Sequence, residues 1–435
     1  MALIGSGDGL LGGIDAVTLR ERLHRRELAC SEVAATFLEA VGNDPLHAWQ
    51  VIDGDALLAQ AAALDGLTRA RREELLLFGV PVGIKDNFDT ADLPTAYGSP
   101  IYLGHRPAAD AEAVQRLRDA GALIAGKTKC AEFAWMFPSD TLNPLCPGRT
   151  PGGSSNGSAA AVAAGIVPLA TGTQTAGSIN RPASYCAVLG YKPTLGVIPR
   201  DGIKLLAGSL DTAGLFARSV ADLELAGSVL AGGELPRGGR HQAGGPRIGF
   251  ARSSMWDRVE PAAQAAIDTA VERIRGAGAA IDEIELPSAF DELSAAQTTV
   301  QFYEAAVSLA AEARSSPSRL SRPLREALEE GARIEPARYE TAKRAAVSNA
   351  PALVGILGRF DGVLAPSATG VPPLRLDFTG DPLFCRAWTL IGAPCVSLPL
   401  AWTADGLPVG LQLVGAPGSD TGTLAAAQRL VQFAS

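Results

Sequence analysis

Apolar residues recur at helical spacing from Ile14 to Val41, which predicts two short amphipathic helices with Ser31 as the N-cap of the second. From Leu75 to Ile84 they run almost without a break, the pattern of a buried strand, and the run ends on Lys85. Asp110 to Asp119 returns to helical spacing and is followed by an apolar strand from Ala122 to Gly126. Ser158 to Ala164 predicts a helix packed closely through its alanine face. Strand, helix, strand alternation of this kind implies βαβ units around a sheet with helices on both faces.

The pattern continues past a Gly-rich connection, GGELPRGGRHQAGGP, at 232–246. Arg247 to Ala251 reads as a strand, Pro261 to Arg275 as a helix and Ala280 to Leu286 as another strand. Mostly helical, Ala-rich sequence then runs to about Leu357, and Asp361 to Pro366 and Pro394 to Leu400 read as returning strands. The expectation is one large α/β domain over residues 1–435, with no internal repeat. Within it, N-terminal helices occupy 1–60, the core 61–231, a mostly helical insertion 247–360 and a C-terminal return 361–435.

Composition narrows the partners. Apolar residues make up 47% and charged residues 19%, ample for a large core. A formal charge of −8, with no basic run, argues against a nucleic-acid partner. The N-terminus, MALIGSGDGLLGG, lacks the charged and apolar regions of a signal peptide. The most apolar tract, Ala159 to Ala170, is broken by Gly165 and Pro168 and is too short to span a bilayer. Six cysteines occur singly, without zinc-site spacing, and read as small core hydrophobes. A cytoplasmic, reduced, metal-free protein is expected.

The candidate chemistry lies between Gly79 and Gly196. Ser154 and Ser178 sit in Gly-rich turns, and no His lies between Pro107 and Arg240. A serine nucleophile here needs a base other than imidazole, and Lys85 with Ser154 is the substitute at hand. The turn GTQTAGSIN can aim several N–H groups at one point, which makes the amides of Thr175, Ala176, Gly177 and Ser178 candidate oxyanion donors. A free Lys has a pKa near 10.4, and lowering it by about three units requires roughly 4 kcal/mol, within reach of desolvation. Asp86 would oppose that shift, but adjacent strand residues point to opposite faces. The blander reading of a Gly/Ser-rich loop is a turn or a phosphate cradle. GxxxxGK[ST] does occur, as GALIAGKT over 121–128, but it falls on the apolar strand Ala122 to Gly126 and not on the Gly/Ser-rich loops, and GxGxxG occurs as GDGLLG over 7–12, away from them and with no strand predicted before it.

These residues resemble the amidase signature family. GVPVGIKDNFDT, GALIAGKT, TPGGSSNGSAAAVAAG, GTQTAGS, GYKPTLG, SLDTAGLFARSVADL, IGAPCVSLP and DGLPVGLQLVG look like its blocks, in its order, over nearly the whole chain. The resemblance implies a large mixed central β-sheet covered by helices, a helical insertion in the second half, and hydrolysis of small amides, anilides, esters or carbamates (urethanes) through an acyl-enzyme. It implies Ser178 as nucleophile, Ser154 as a bridging serine after a cis peptide, Lys85 as base and acid, and Ser155 as a supporting hydrogen-bonding residue. It implies no metal, no organic cofactor and, by analogy, a homodimer.

Within the family the chain is similar to the malonamidase-like branch. Gln174 stands where many members have Asp, and Arg181 is the third residue after the serine, whereas many members carry Arg at the second, here Asn180. In malonamidase-like enzymes the third-position Arg holds the substrate's free carboxylate. Arg181 either does so or pairs with a local carbonyl or Asp211. Two features depart from the family: Ala176 replaces a usual Gly, tolerable only if its φ is negative, and Trp135, Met136 and Phe137 fill a loop that borders the family's substrate channel. These side chains either line an apolar pocket or pack into core. The loop tips the expectation towards a neutral, apolar substrate, as in aryl acylamidases and urethanases. Two rival functions stay open, an amidotransferase component that releases ammonia from glutamine for a partner and a binding protein that kept the fold.

Overall fold

Of the apolar run from Leu75 to Lys85 only the end folds as a strand, Pro81–Lys85, buried at every residue, while residues 75–80 form turns and not the strand expected there. A computed structural model describes residues 12–42, 44–238 and 246–434. Its strands are β1 (Trp49–Val51), β2 (Pro81–Lys85), β3 (Leu123–Thr128), β4 (Leu169–Gln174), β5 (Leu189–Lys192), β6 (Thr212–Ala217), β7 (Arg247–Arg252), β8 (Ala280–Glu285), β9 (Gly362–Pro366), β10 (Cys395–Trp402) and β11 (Pro408–Val414). They form an 11-stranded sheet in the order β1-β3-β2-β4-β6-β5-β10-β11-β9-β7-β8.

The sheet is mixed. β2 runs parallel to β3 and β4, and β7 runs parallel to β8 and β9. Parallel neighbours need a crossover. Helix Glu112–Asp119 supplies one between β2 and β3, and helix Pro261–Gly276 supplies one between β7 and β8. The segment 247–360 therefore contributes two sheet strands, with helix Pro261–Gly276 between them, before the helical stretch from Ala289 to Leu357.

Period-two alternation sorts the strand side chains into two cores. Val82, Ile84 and Ile124 join one cluster with Val114, Leu117, Leu223, Ile267 and Leu424 from four helices. Leu123, Ala125 and Ala170 join the other, with Leu19, Phe37, Leu57 and the alanines of helix Asn156–Ala163. That helix is buried at all of its positions, because methyl side chains let neighbours approach from every side. It starts two residues earlier than the pattern predicted.

Ser31 is not the N-cap of its helix. Helix Cys30–Val41 is capped at Ala29, whose N–H donates to the Glu32 carboxylate, while Asp65 accepts the N–H groups of Cys30 and Ser31. A carboxylate from another helix thus satisfies donors that a local serine was expected to serve. β1, β4, β5, β6 and β11 were not anticipated. β4 and β6 contain glycine and little alternation, so they carry a weak strand signature. Of the Gly-rich connection, residues 239–245 lie outside the described residues, as does most of the N-terminal peptide. Among the described residues no helix is long and apolar enough to cross a membrane.

Candidate active site

Because β2 and β4 are parallel neighbours, their C-terminal ends lie side by side. Lys85 closes β2, and Thr173 and Gln174 close β4. The Lys85 backbone N–H donates to Thr171 Oγ1 at 2.8 Å, which fixes the strand end. The side chain is fully buried, and Nζ donates to Thr173 Oγ1 at 2.7 Å and to Ser154 Oγ at 3.0 Å. Both partners are neutral. Burial therefore lowers the amine's pKa to about 8, opposed by the more distant groups Cys130 and Asp211. The Cys130 thiol is itself pushed up to about 12 by burial, so it is uncharged at neutral pH, and burial raises the Asp211 carboxyl as well.

Asp86 turns away, as strand alternation requires. Its carboxylate lies 3.6 Å from Lys127 Nζ and accepts the N–H groups of Ala96 and Gly98. Two buried lysines on adjacent strands thus differ: Lys127 faces a carboxylate and Lys85 faces hydroxyls.

Ser154 follows a cis peptide bond, Gly153–Ser154, and its carbonyl accepts the Ala131 N–H at 3.0 Å. A Cβ at Gly153 would lie 2.7 Å from Thr379 Cγ2, so the turn admits no larger residue without a shift. Ser155 Oγ donates to the Thr173 carbonyl at 3.3 Å, tying the turn to β4. Lys85 and Ser154 are 0% exposed and Ser178 is 6% exposed, so Ser178 is the member of the three that solvent reaches. Ser178 Oγ makes no hydrogen bond among the described residues, and none joins it to Ser154.

The loop before Ser178 is held through its side chains and carbonyls. Thr175 Oγ1 donates to the Asp211 carboxylate. The Thr175 carbonyl accepts Gln297 Nε2 at 2.9 Å, and the Ala176 carbonyl accepts Thr389 Oγ1 at 2.8 Å. Gln174 Oε1 accepts the N–H groups of Ile179 and Asn180 at 2.9 and 3.0 Å. Ala176 has no positive φ, which meets the condition for alanine at that position. Gly177 is required by close approach, since a Cβ there would lie 2.9 Å from Pro382 Cβ.

Arg181, in helix Asn180–Tyr185, is fully buried. Its Nη2 donates to the Gly153 carbonyl at 2.7 Å and to Thr379 Oγ1 at 3.2 Å. Its Nε and Nη1 are buried without a partner among the described residues. Asp211 is not its partner, being engaged by Thr175 and the N–H groups of Leu206 and Ala207.

The aromatic loop divides. Trp135 packs edge-on against Phe302 at 5.1 Å in a cluster with Leu309, Leu320 and Leu324. Met136 is half-buried against the same cluster, and its carbonyl accepts Thr379 Oγ1. Phe137 is half-exposed and lines a cavity of about 270 Å3 with Pro138, Cys130 and Leu320. Trp135→Ala is expected to destabilise the protein by about 3–5 kcal/mol, the usual cost of emptying a packed indole site. A denaturant midpoint within error of the wild type would place the ring outside the core.

The family comparison agrees with this architecture. The amidase family model matches residues 32–424. The chain belongs to the amidase family. A glutamyl-tRNA(Gln) amidotransferase subunit of Symbiobacterium thermophilum is 31% identical, and the match covers 94% of each chain. With the corresponding protein of Roseiflexus castenholzii the identity is 39% and the match spans 59% of that protein's length. A solved amidase structure superposes on this chain with a TM-score of 0.87 at 30% identity, covering 96% of this chain and 99% of that one. Peptide amidase of Stenotrophomonas maltophilia superposes with a TM-score of 0.81 at 30% identity, covering 96% of each. As a member of the amidase family the chain is an enzyme of the class acting on C–N bonds. Among its described residues no group of three or more His, Cys, Asp or Glu could hold a metal ion.

Proposed function

We propose that this amidase hydrolyses small amides with Ser178 as nucleophile, Ser154 as proton bridge and Lys85 as base and acid. The observation that carries the reading is the 3.0 Å contact between Lys85 Nζ and Ser154 Oγ, made by a buried amine with no carboxylate in contact and a pKa of about 8. Ser178 Oγ attacks the substrate carbonyl, and its proton passes through Ser154 to neutral Lys85. The amides of residues 175–178 hold the tetrahedral oxyanion. The proton returns to the leaving amine, and water then hydrolyses the acyl-enzyme. The Ser178–Ser154 hydrogen bond forms once substrate is bound, since catalytic hydrogen bonds often tighten only in the complex.

The geometry favours a carboxylate-bearing amide, as in malonamidase-like enzymes. Arg181 carries two buried nitrogens without a partner among the described residues, and a buried cation without an anion is costly. Trp135, which argued for a neutral substrate, is occupied with packing, and Phe137 keeps a face to a cavity. Initial rates on malonamate and on a neutral aryl anilide or carbamate test this. Malonamate is expected to be the better substrate, and Arg181→Ala is expected to raise its KM by roughly 10- to 100-fold, the worth of hydrogen bonds to a charged group. An equal loss on both substrates would assign Arg181 to its Gly153 contact instead.

The likeness to a glutamyl-tRNA(Gln) amidotransferase component over 94% of the chain favours a second reading, a chain that releases ammonia from glutamine for a partner. Glutaminase activity and a co-purifying partner would support it. Rapid malonamate hydrolysis by the isolated chain, without glutaminase activity, would count against it.

A further inference from the structure

We propose that Gln297 and Thr389 are positioning residues that orient and polarise the two peptide groups supplying the Ala176 and Gly177 oxyanion donors; this rests on the reading of residues 175–178 given above. A peptide group is planar and joins the carbonyl of one residue to the N–H of the next. The Thr175 carbonyl therefore belongs to the same rigid unit as the Ala176 N–H, and the Ala176 carbonyl to the same unit as the Gly177 N–H. Gln297 Nε2 donates to the first carbonyl at 2.9 Å, and Thr389 Oγ1 donates to the second at 2.8 Å. Each bond fixes the plane of its peptide and so the direction of the N–H on the other side. Each also draws electron density towards the carbonyl oxygen, which makes the N–H a stronger donor.

Both donors are themselves held. Arg386 Nη1 donates to Gln297 Oε1 at 2.8 Å and to Thr298 Oγ1 at 3.0 Å. A guanidinium has no acceptor, so it orients the Gln297 amide with oxygen towards Arg386 and nitrogen towards Thr175. Gln297 Nε2 also reaches Gln301 Oε1 at 3.0 Å, which uses its second proton. Gln174 Nε2 donates to Thr389 Oγ1 at 3.0 Å, so the Thr389 hydroxyl proton is directed to carbonyls, the nearer being that of Ala176 at 2.8 Å and the other that of Cys385 at 3.0 Å. Gln297, Thr389 and Gln174 are all 0% exposed, so bulk solvent does not compete for these bonds. Two chains of donors thus end on the two peptides that face the oxyanion, one starting at the Arg386 cation and one at Gln174.

A purely structural role predicts changes in stability alone. The positioning role predicts a split between ground state and transition state. The test compares Thr389→Val, Thr389→Ser and Gln297→Met with wild type on an amide that wild type hydrolyses. It also measures inhibition by an aldehyde that forms a tetrahedral adduct on Ser178 and by the carboxylic acid product. Thr389→Val and Gln297→Met are each expected to lower kcat about tenfold, less than the 100-fold or more that follows outright loss of a donor. KM and product affinity should stay within twofold, and aldehyde affinity should fall in step with kcat. Thr389→Ser should recover most of the loss. Unchanged kcat and aldehyde affinity in folded Gln297→Met and Thr389→Val, or a Thr389→Ser as impaired as Thr389→Val, overturn the proposal. Were Ser178→Ala to retain wild-type turnover, the oxyanion reading itself would fall and this inference with it; a dead Ser178→Ala beside an intact aldehyde response overturns the positioning role alone.

Discussion

Ser178→Ala is expected to abolish amide turnover, by about 10⁴-fold or more, while the protein stays folded. The size follows from what is removed. Ser178 is the solvent-reachable member of the three-residue set, and its hydroxyl is the atom that would form the acyl bond. Without it, only binding and oxyanion stabilisation remain. The fold should not notice, because Ser178 Oγ makes no hydrogen bond among the described residues and its loop is fixed by other groups. Gln174 anchors the N–H groups of Ile179 and Asn180, and Asp211 anchors Thr175. The check is an initial-rate assay on purified variant beside a thermal melt. Turnover above a few per cent of wild type would sink the nucleophile assignment. A melt lowered by many degrees would instead show that the hydroxyl is structural.

The part of this site that was legible in the sequence is the part governed by local rules. Period-two alternation placed Lys85 and Asp86 on opposite faces, and the structure gives Asp86 to Lys127. Gly-rich turns marked the loops that carry Ser154 and Ser178. What stayed hidden depends on partners far along the chain. Gln297 meets the Thr175 carbonyl from 122 residues away, and Thr389 meets the Ala176 carbonyl from 213. A backbone oxygen has no side chain to advertise it, so neither contact leaves a motif. Thr173, which takes the shortest hydrogen bond from Lys85, sits in a strand whose glycine blurs the pattern. Trp135 shows the same limit from the other side. An aromatic in a loop does not reveal whether core or substrate meets it until Phe302 is folded against it.

Lys85→Met should lose activity and gain relative stability at pH 7, and the two effects have one cause. The amine's pKa falls from an ordinary 10.5 to about 8 because burial disfavours its charge. That gap corresponds to about 3 kcal/mol of differential interaction, carried by the folded state whenever the lysine is charged. The unfolded chain binds a proton at Lys85 up to pH 10.5, whereas the folded chain releases it near 8. Stability therefore rises with pH between these values, and below 8 the cost is present in full. Methionine removes the cost but forfeits the bonds to Thr173 and Ser154, worth about 1 kcal/mol each. The variant should be about 1 kcal/mol more stable at pH 7 and lose that margin as pH climbs from 8 towards 10.5. Lys127 and Lys192 are also buried with lowered pKa, but they titrate in both proteins and cancel in the difference. Activity runs the other way. A neutral Lys85 is the working base, so wild-type kcat/KM should rise about tenfold per pH unit below 8 and then level. Lys85→Met should lack that limb and lose about 10²–10⁴-fold at the plateau. A stability difference flat from pH 7 to 10 would show that Lys85 titrates normally. A wild-type rate flat from pH 6 to 9 would show that some other group takes the proton from Ser154.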